Sequence, residues 1–178
     1  MAEESPIAAV HLHLHLTDAP ASAVLGSALG SAVLALQEPI HEHGLCVHLL
    51  GQVGSGKTTL IRGLLRGAGV EGAVKSPTYT LLEPYEVSRL HLYHFDFYRF
   101  KKPSEFSEGG FGEYFGPGAV CLIEWPEKAG TYLPPADLRL SLRVLDAGRS
   151  ATLDANTELG ARCLELLQAN LRTARAGG

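Results

Sequence analysis

Apolar and polar residues along the chain alternate in two different periods, and each period predicts one kind of element. Residues 11–16 and 138–144 alternate one by one, which predicts strands with one buried face. Residues 45–50 and 119–123 are almost continuously apolar and favour strands that are buried on both faces. Residues 90–95 also form a predicted strand, because their side chains separate onto two faces.

Three other segments repeat their apolar residues every three or four positions, which predicts helices with one buried face. These segments are residues 25–36, 60–65 and 159–171. Asp18 is placed to cap the first helix, Pro20 lies in its first turn, and Pro39 is expected to end it. Residues 41–44 are then expected to turn the chain into the next strand, and residues 150–153 to pair back as a hairpin.

A glycine-rich turn over residues 51–58 joins a predicted strand to a predicted helix and has the pattern G-x-x-x-x-G-K-T. We call this segment the phosphate-binding loop. Its glycines let the backbone curl so that N–H groups converge on phosphate oxygens, and the helix N-terminus adds the positive end of its dipole. Lys57 is expected to reach the β- and γ-phosphates, and the Thr58 hydroxyl to bind Mg²⁺. The strand before the loop and the helix after it predict a nucleoside triphosphate site.

Two acidic residues come directly after predicted strands, at the end of an α/β sheet where ligands bind. Asp96 follows residues 90–95 and is placed to position Mg²⁺ or the attacking water. Glu124 follows residues 119–123 and is placed beside the metal or its water shell, although Asp is the commoner residue there. Between them, residues 101–118 are rich in glycine and predict short helical turns on a mobile, partner-facing surface.

Other polar and aromatic clusters have more than one interpretation. The histidines at positions 11, 13 and 15 are expected to form an exposed strand edge, and not a metal site, because no carboxylate or cysteine is placed beside them. The aromatic residues of the strand at 90–95 favour a buried core over a platform for stacking bases. Trp125 either stacks on a base or a partner, or fills a corner. The loop at residues 74–80 is placed to sense the γ-phosphate.

Composition narrows the class of protein further. The chain has 178 residues, of which 46% are hydrophobic, and a formal net charge of −4. These values fit a single domain over residues 1–178, with residues 1–9 and 172–178 expected to be flexible. The mild acidity argues against a dedicated nucleic-acid-binding protein. Three cysteines in apolar surroundings indicate buried thiols, and no apolar run approaches the ~18 residues of a membrane span, so a cytoplasmic protein is expected.

Four motifs in this order resemble the bacterial TsaE (YjeE) family. They are the phosphate-binding loop, Val-Lys-Ser-Pro-Thr-Tyr-Thr-Leu-Leu-Glu-Pro-Tyr at 74–85, His-Phe-Asp-Phe-Tyr-Arg at 94–99 and Leu-Ile-Glu-Trp-Pro at 122–126. The resemblance implies a three-layer α/β/α fold of the P-loop NTPase type around a mostly parallel central sheet. It also implies ATP and Mg²⁺ binding, weak ATPase activity and action with TsaB and TsaD proteins. Those proteins install the threonylcarbamoyl group on adenosine beside the anticodon, so tRNA is reached through them.

Matching positions give the roles that the resemblance implies for single residues. Lys57, Asp96 and Glu124 are the catalytic residues, with Asp96 nearest the hydrolysis step, and Thr58 and Glu124 are the Mg²⁺ ligands. The nucleotide-binding residues are Gly51, Gly54, Ser55, Gly56, Lys57, Thr58, Thr59 and Thr78. Gln52 departs from the family, whose members usually have Asp at this position, so its effect on the loop or on a partner contact stays open.

Other classes of nucleotide-binding protein fit the sequence less well. A P-loop small-molecule kinase, the main alternative, needs an acceptor pocket and usually an arginine-bearing lid. Arg139, Arg143 and Arg149 lie in or after strand-like alternation, so no lid is predicted. A guanine-reading switch would carry Asn-Lys-x-Asp, but neither Asn156 nor Asn170 is followed by Lys. An RNA-binding module is disfavoured because no basic stripe is present. The sequence therefore predicts an ATPase.

Overall fold

The computed structural model describes residues 10–177, and seven strands in this part of the chain form one sheet. In chain order the strands are β1 (His11–Leu16), β2 (Leu45–Leu50), β3 (Leu82–Val87), β4 (Leu90–Asp96), β5 (Ala119–Glu124), β6 (Leu138–Val144) and β7 (Arg149–Ala155). Across the sheet they follow the order β1-β7-β6-β2-β5-β4-β3. The two apolar runs, β2 and β5, are therefore neighbours near the middle, and β5 is buried throughout.

The direction of the strands changes from the middle of the sheet to its edges. The pairs β4–β5, β5–β2 and β2–β6 are parallel, whereas β3–β4, β6–β7 and β1–β7 are antiparallel. The α/β class is confirmed, but the expectation of a mostly parallel sheet is wrong for the outer strands. β3 and β4 are separated by two residues and β6 and β7 by four, and connections this short join only antiparallel strands.

Helices cover the two faces of the sheet unequally. They are α1 (Ala19–Ala35), α2 (Gln37–His43), α3 (Lys57–Gly67), α4 (Glu105–Glu108) and α5 (Glu158–Ala176), with short 3₁₀ helices at Phe111–Tyr114, Pro126–Lys128 and Gly130–Tyr132. Buried residues of α1, α2, α3 and α5 form the larger core with one face. The other face carries a smaller aromatic core that includes Phe95, Phe97 and Phe106. The predicted short helical turns and the buried aromatic strand are thus both observed.

The first helix differs from expectation at its end. Asp18 caps α1 as predicted, but α1 ends at Ala35, and Pro39 lies in the first turn of α2, where a missing N–H costs nothing. Residues 41–43 therefore complete a helix and do not turn. The predicted flexible segment 1–9 lies outside the described residues, and α5 continues to Ala176. Within residues 10–177 no single helix is long and apolar enough to cross a membrane. α1 and α2 have the required length and composition only when taken together, and the chain bends by 74° between them.

Helices α1 and α3 approach so closely that glycine is required on both sides of the contact. A Cβ on Gly26 or Gly30 of α1 would overlap a backbone carbonyl oxygen of α3. A Cβ on Gly63 or Gly67 of α3 would in turn overlap a carbonyl oxygen of α1. Because residues four positions apart share one helix face, each pair forms a flat strip of backbone. The helix that begins at the phosphate-binding loop is therefore held by direct contact between two main chains.

Replacement of Gly30 by alanine is expected to lower the free energy of unfolding by about 1–3 kcal/mol or more, which is the cost of overpacking a core contact. The added methyl would overlap the carbonyl oxygen of Leu64, and backbone atoms cannot move aside as a flexible side chain can. Denaturant unfolding of Gly30→Ala measures this change. Ser27→Ala, at an exposed position of the same helix, is the control and is expected to leave the free energy of unfolding nearly unchanged. Equal stabilities of the two variants would contradict the contact.

Candidate active site

The phosphate-binding loop leaves β2 and enters α3 with its glycines in conformations that other residues rarely adopt. Gly51, Gly54 and Gly56 have φ angles of 151°, 78° and 101°. A Cβ on Gly51 would also stand 2.5 Å from the hydroxyl oxygen of Ser55. The loop therefore has the curled backbone that the sequence pattern predicts.

Lys57, the first residue of α3, is only 5% exposed and is held against the loop. Its Nζ donates to the carbonyl oxygens of Gly51 and of Gln52, the latter at 3.0 Å. It also lies 4.4 Å from the centre of the Trp125 ring, within the range of a cation–π contact. Burial lowers the pKa of Lys57, and the carboxylate of Glu124 opposes that change. Neutral carbonyl groups and an aromatic ring thus hold the ammonium group of Lys57, so its positive charge can still attract an anionic ligand.

Asp96 and Glu124 end neighbouring parallel strands and are paired directly across them. Both are buried, with exposed fractions of 8% and 4%. Oδ1 of Asp96 accepts a hydrogen bond from the backbone N–H of Tyr98 at 2.9 Å. Burial raises the pKa of Asp96; the hydrogen bond from Tyr98 opposes this rise, and the neighbouring Glu124 adds to it. Two buried carboxylates this close are typical of a functional site.

The carboxylate of Glu124 receives two hydrogen bonds at one oxygen. Oε1 accepts from the Thr58 hydroxyl at 3.0 Å and lies 2.9 Å from Nε2 of His94. Because the Thr58 hydroxyl gives its hydrogen to Glu124, its oxygen lone pairs stay free for a further partner. Thr58 and Glu124 therefore bring two hard oxygen ligands together, the type that Mg²⁺ prefers.

These groups line a cavity of about 410 Å³. Of the sequence-predicted site residues, it brings together Gly54, Ser55, Gly56, Lys57, Thr58, Thr59, Thr78, Asp96 and Glu124. Gly51 lies outside the lining, and its carbonyl oxygen binds Lys57. The residues come from the phosphate-binding loop, from the ends of β4 and β5 and from the loop before β3. Their roles in chemistry stay predictions.

The loop before β3 contributes Thr78 to the lining of the cavity. The hydroxyls of Ser76 and Thr78 are 2.7 Å apart, and the carbonyl oxygen of Thr78 accepts a hydrogen bond from Nε of Arg99 at 2.9 Å. The Arg99 guanidinium also lies 4.4 Å from the centre of the Tyr79 ring. Arg99, from the third motif of the sequence, thus fixes the second motif in place.

Sequence reasoning missed His94 and Arg149, as well as Val53 and Tyr98 in the lining of the cavity. His94 is fully buried beside Glu124, and the only signal for it is that it lies two positions before Asp96 and thus on the same strand face. Arg149 lines the cavity from the start of β7, with Nη2 3.4 Å from the carbonyl oxygen of Gly54. No local pattern marks Arg149, because 95 residues separate it from Gly54.

The histidine strand has a polar neighbour that the sequence did not reveal. His11 contacts Asp154 of β7, His13 lies 3.1 Å from the Thr152 hydroxyl, and all three histidines keep exposed side chains. The expectation that no carboxylate stands beside them is wrong, because β1 pairs with β7 in a register that places Asp154 opposite His11. Within residues 10–177, no group of three or more His, Cys, Asp or Glu side chains could hold a metal ion.

The polar groups of the cavity fit a nucleotide and Mg²⁺. Ser55 is 1% exposed, and its hydroxyl has no hydrogen-bond partner within residues 10–177, so it offers an unused group at the loop. Thr58 and Glu124 supply oxygen ligands, and a Mg²⁺ site of this kind takes its remaining ligands from phosphates and water. Trp125 and Tyr98 line the same cavity, and their ring centres lie 5.0 Å apart. Trp125 therefore borders the site and is not confined to the core.

Replacement of Arg149 by alanine is expected to weaken nucleotide binding by about 10–100-fold, since a hydrogen bond to a charged group contributes roughly 1.5–3 kcal/mol. Besides Lys57, Arg149 is the cationic residue that lines the cavity, and its Nε is buried without a partner among the described residues. Calorimetric titration with ADP measures the affinity. Arg143→Ala, at an exposed position of β6, is the matched control. Equal affinities of both variants and the original chain would contradict a contact with the nucleotide.

Comparison with known proteins finds one family for most of the chain. The family model of the threonylcarbamoyl adenosine biosynthesis protein TsaE matches residues 21–151. The tRNA threonylcarbamoyladenosine biosynthesis protein TsaE of Haemophilus influenzae is 46% identical over 119 residues, which are 67% of this chain and 75% of that protein. The protein of the same name from Bacillus subtilis is 36% identical over 125 residues, or 70% of this chain and 78% of its own.

A solved structure has the same fold. The crystal structure of YdiB from Bacillus subtilis superposes with a TM-score of 0.64 and covers 93% of this chain and 97% of its own. The sequence identity of the two is 24%, so this likeness is one of fold.

Proposed function

The chain belongs to the TsaE family of threonylcarbamoyl adenosine biosynthesis proteins, and we propose that within this biosynthesis it is a Mg²⁺-dependent ATPase. One observation carries the proposal: the phosphate-binding lysine, a paired threonine and carboxylate, and a second buried carboxylate line one cavity. These are the parts that hydrolysis of a nucleoside triphosphate needs, because such catalysis consists mainly of positioning and charge stabilisation.

Each group has a defined part in this proposal. The loop N–H groups and Lys57 bind the phosphate oxygens, and Thr58 and Glu124 hold Mg²⁺. When bound, the metal neutralises charge that develops on the phosphate oxygens. Asp96 accepts a hydrogen bond from the attacking water and orients it towards the γ-phosphorus. The water oxygen bonds to the γ-phosphorus as the bond from that phosphorus to the bridging oxygen breaks. The electron pair of the broken bond stays on ADP, one proton of the water passes to the released phosphate or to solvent, and ADP and free phosphate are the products.

The reaction without partners is proposed to be slow, and its purpose is to drive a partner complex. TsaB- and TsaD-type proteins are the proposed partners, with tRNA reached through them in the cytoplasm. The net charge of −4 supports indirect contact, because binding to a phosphate backbone relies on basic residues. The exposed Tyr79 and Val53, which flank the cavity, offer apolar groups to a partner at its opening.

Reconstitution of the tRNA modification tests this function. Purified TsaB- and TsaD-type proteins, tRNA and the activated threonylcarbamoyl donor are combined with and without this chain and ATP. We expect repeated rounds of modification only when both are present, with ADP and free phosphate accumulating. Equal repeated modification without the chain would overturn the proposed role. Radioactive phosphate that appears on a small-molecule acceptor would instead favour the kinase alternative.

A further inference from the structure

His94 takes no part in the chemistry proposed above, yet it contacts the carboxylate at the centre of the site. Its side chain is 0% exposed, and its Nε2 lies 2.9 Å from Oε1 of Glu124. An ionised carboxylate only accepts hydrogen bonds, so Nε2 carries the hydrogen and donates it. The other ring nitrogen, Nδ1, is buried without a hydrogen-bond partner in residues 10–177. Glu124 is therefore the polar partner of the imidazole ring.

The register of the sheet determines this contact. β4 and β5 are parallel, and their pairing places His94 beside Leu122 and Asp96 beside Glu124. His94 and Asp96 are two residues apart, so they project from the same face of β4, the face whose Leu92 joins the helical core. His94 does not line the cavity. It thus meets Glu124 from the interior of the protein and can act on a ligand only through Glu124.

We propose that His94 is a positioning residue that holds the Glu124 carboxylate in the orientation in which it binds Mg²⁺. Oε1 accepts from both His94 and Thr58, and a rotation of the carboxylate would break both hydrogen bonds. Oε2 takes neither of them. Hydrogen bonds of this kind to a ligating group typically affect metal affinity or activity by 10–100-fold. The role rests on the ATPase function proposed above, since it requires Glu124 to act at the metal.

Three replacements separate this role from simple filling of space. His94→Gln keeps an amide donor that extends about as far as Nε2, whereas the amide of His94→Asn extends only about as far as Nδ1. His94→Leu keeps apolar volume and removes the donor. Leu92→Ala is the matched control, because it removes packing from the same face of β4 at a fully buried position. Thermal unfolding of each variant establishes which of them are folded.

The experiment measures ADP affinity by calorimetry, first in EDTA and then at increasing MgCl₂. In His94→Asn and His94→Leu we expect the ADP affinity in EDTA to equal that of the original chain. We expect the MgCl₂ concentration that produces half of the Mg²⁺-dependent change in ADP affinity to be 10–100-fold higher. For His94→Gln, this MgCl₂ concentration is expected to lie within about threefold of that of the original chain. The rate of ATP turnover is expected to fall more in His94→Asn and His94→Leu than in His94→Gln. The Asn and Gln variants suffice if the Leu variant does not fold.

Two outcomes would overturn the proposal. One is that His94→Asn and His94→Gln need the same MgCl₂ concentration for half of the change in ADP affinity. The other is that Leu92→Ala raises this concentration as much as His94→Asn does. Either result would indicate that His94 has a packing role only. Failure of the original chain to bind ADP with MgCl₂ would instead overturn the ATPase function itself. The two failures are therefore distinguishable.

Discussion

Replacement of Lys57 by alanine is expected to weaken ATP binding by at least about 30-fold, because loss of one partner from a buried charge pair costs roughly 2–5 kcal/mol. The lysine is buried at the loop, and its hydrogen-bond partners, the carbonyl oxygens of Gly51 and Gln52, carry no charge. In the proposed complex the polyphosphate is its anionic partner. Calorimetric titration of Lys57→Ala with ATP and MgCl₂ measures the loss.

Two controls make the result interpretable. Lys101→Ala removes an exposed lysine outside the cavity and is expected to bind ATP normally. Because Lys57 also ties two carbonyls of the loop, thermal unfolding of Lys57→Ala must show that the fold survives. A folded Lys57→Ala with the ATP affinity of the original chain would refute the assignment of the loop.

Replacement of Glu124 by glutamine is expected to lower ATP turnover on the order of 10²–10³-fold and to leave ADP affinity in EDTA nearly unchanged. The amide keeps the size of the side chain and an oxygen that accepts hydrogen bonds from Thr58 and His94. What disappears is the negative charge that the proposed Mg²⁺ site would use at this position. Release of free phosphate and ADP calorimetry measure the two quantities.

A neighbouring carboxylate provides the control for Glu124. Glu127→Gln makes the same chemical change three residues later, at an exposed position, and is expected to keep at least about half of the turnover, as surface charges contribute little. Equal losses in both variants would indicate a general effect of charge. Full turnover in Glu124→Gln would exclude this carboxylate as a metal ligand.

The phosphate-binding loop and the strand-end acids could be predicted because their signals are local or follow from topology. A glycine pattern between a strand and a helix specifies its own backbone. Asp96 and Glu124 were predicted at strand ends, and parallel pairing of β4 with β5 places them side by side. The pairing itself is a long-range property, yet acids that end parallel strands meet at one edge of the sheet without further information.

His94, Arg149 and the place of β1 in the sheet could not be predicted for a shared reason. Each depends on residues far apart in sequence: 30 positions separate His94 from Glu124, and 95 separate Arg149 from Gly54. The hairpin expected of residues 150–153 is observed, since β7 pairs antiparallel with β6. Alternation also predicts that β1 is a strand, but no residue in it indicates which neighbour it takes or in which direction. The carboxylate that β7 brings to His11 was missed for the same reason.

Two segments of the cavity lining, the phosphate-binding loop and the loop at residues 76–79, are held by different kinds of contact. The wall formed by the phosphate-binding loop continues into a helix that rests on another main chain, and such a contact has no side chains that can rearrange. The loop at residues 76–79, which lines the cavity through Thr78, is held by side-chain contacts instead, among them the hydrogen bond from Arg99 to Thr78. In the ATPase proposed above, we therefore expect the loop at residues 76–79, and not the phosphate-binding loop, to move between nucleotide states. A partner that responds to the nucleotide is expected to contact this second segment.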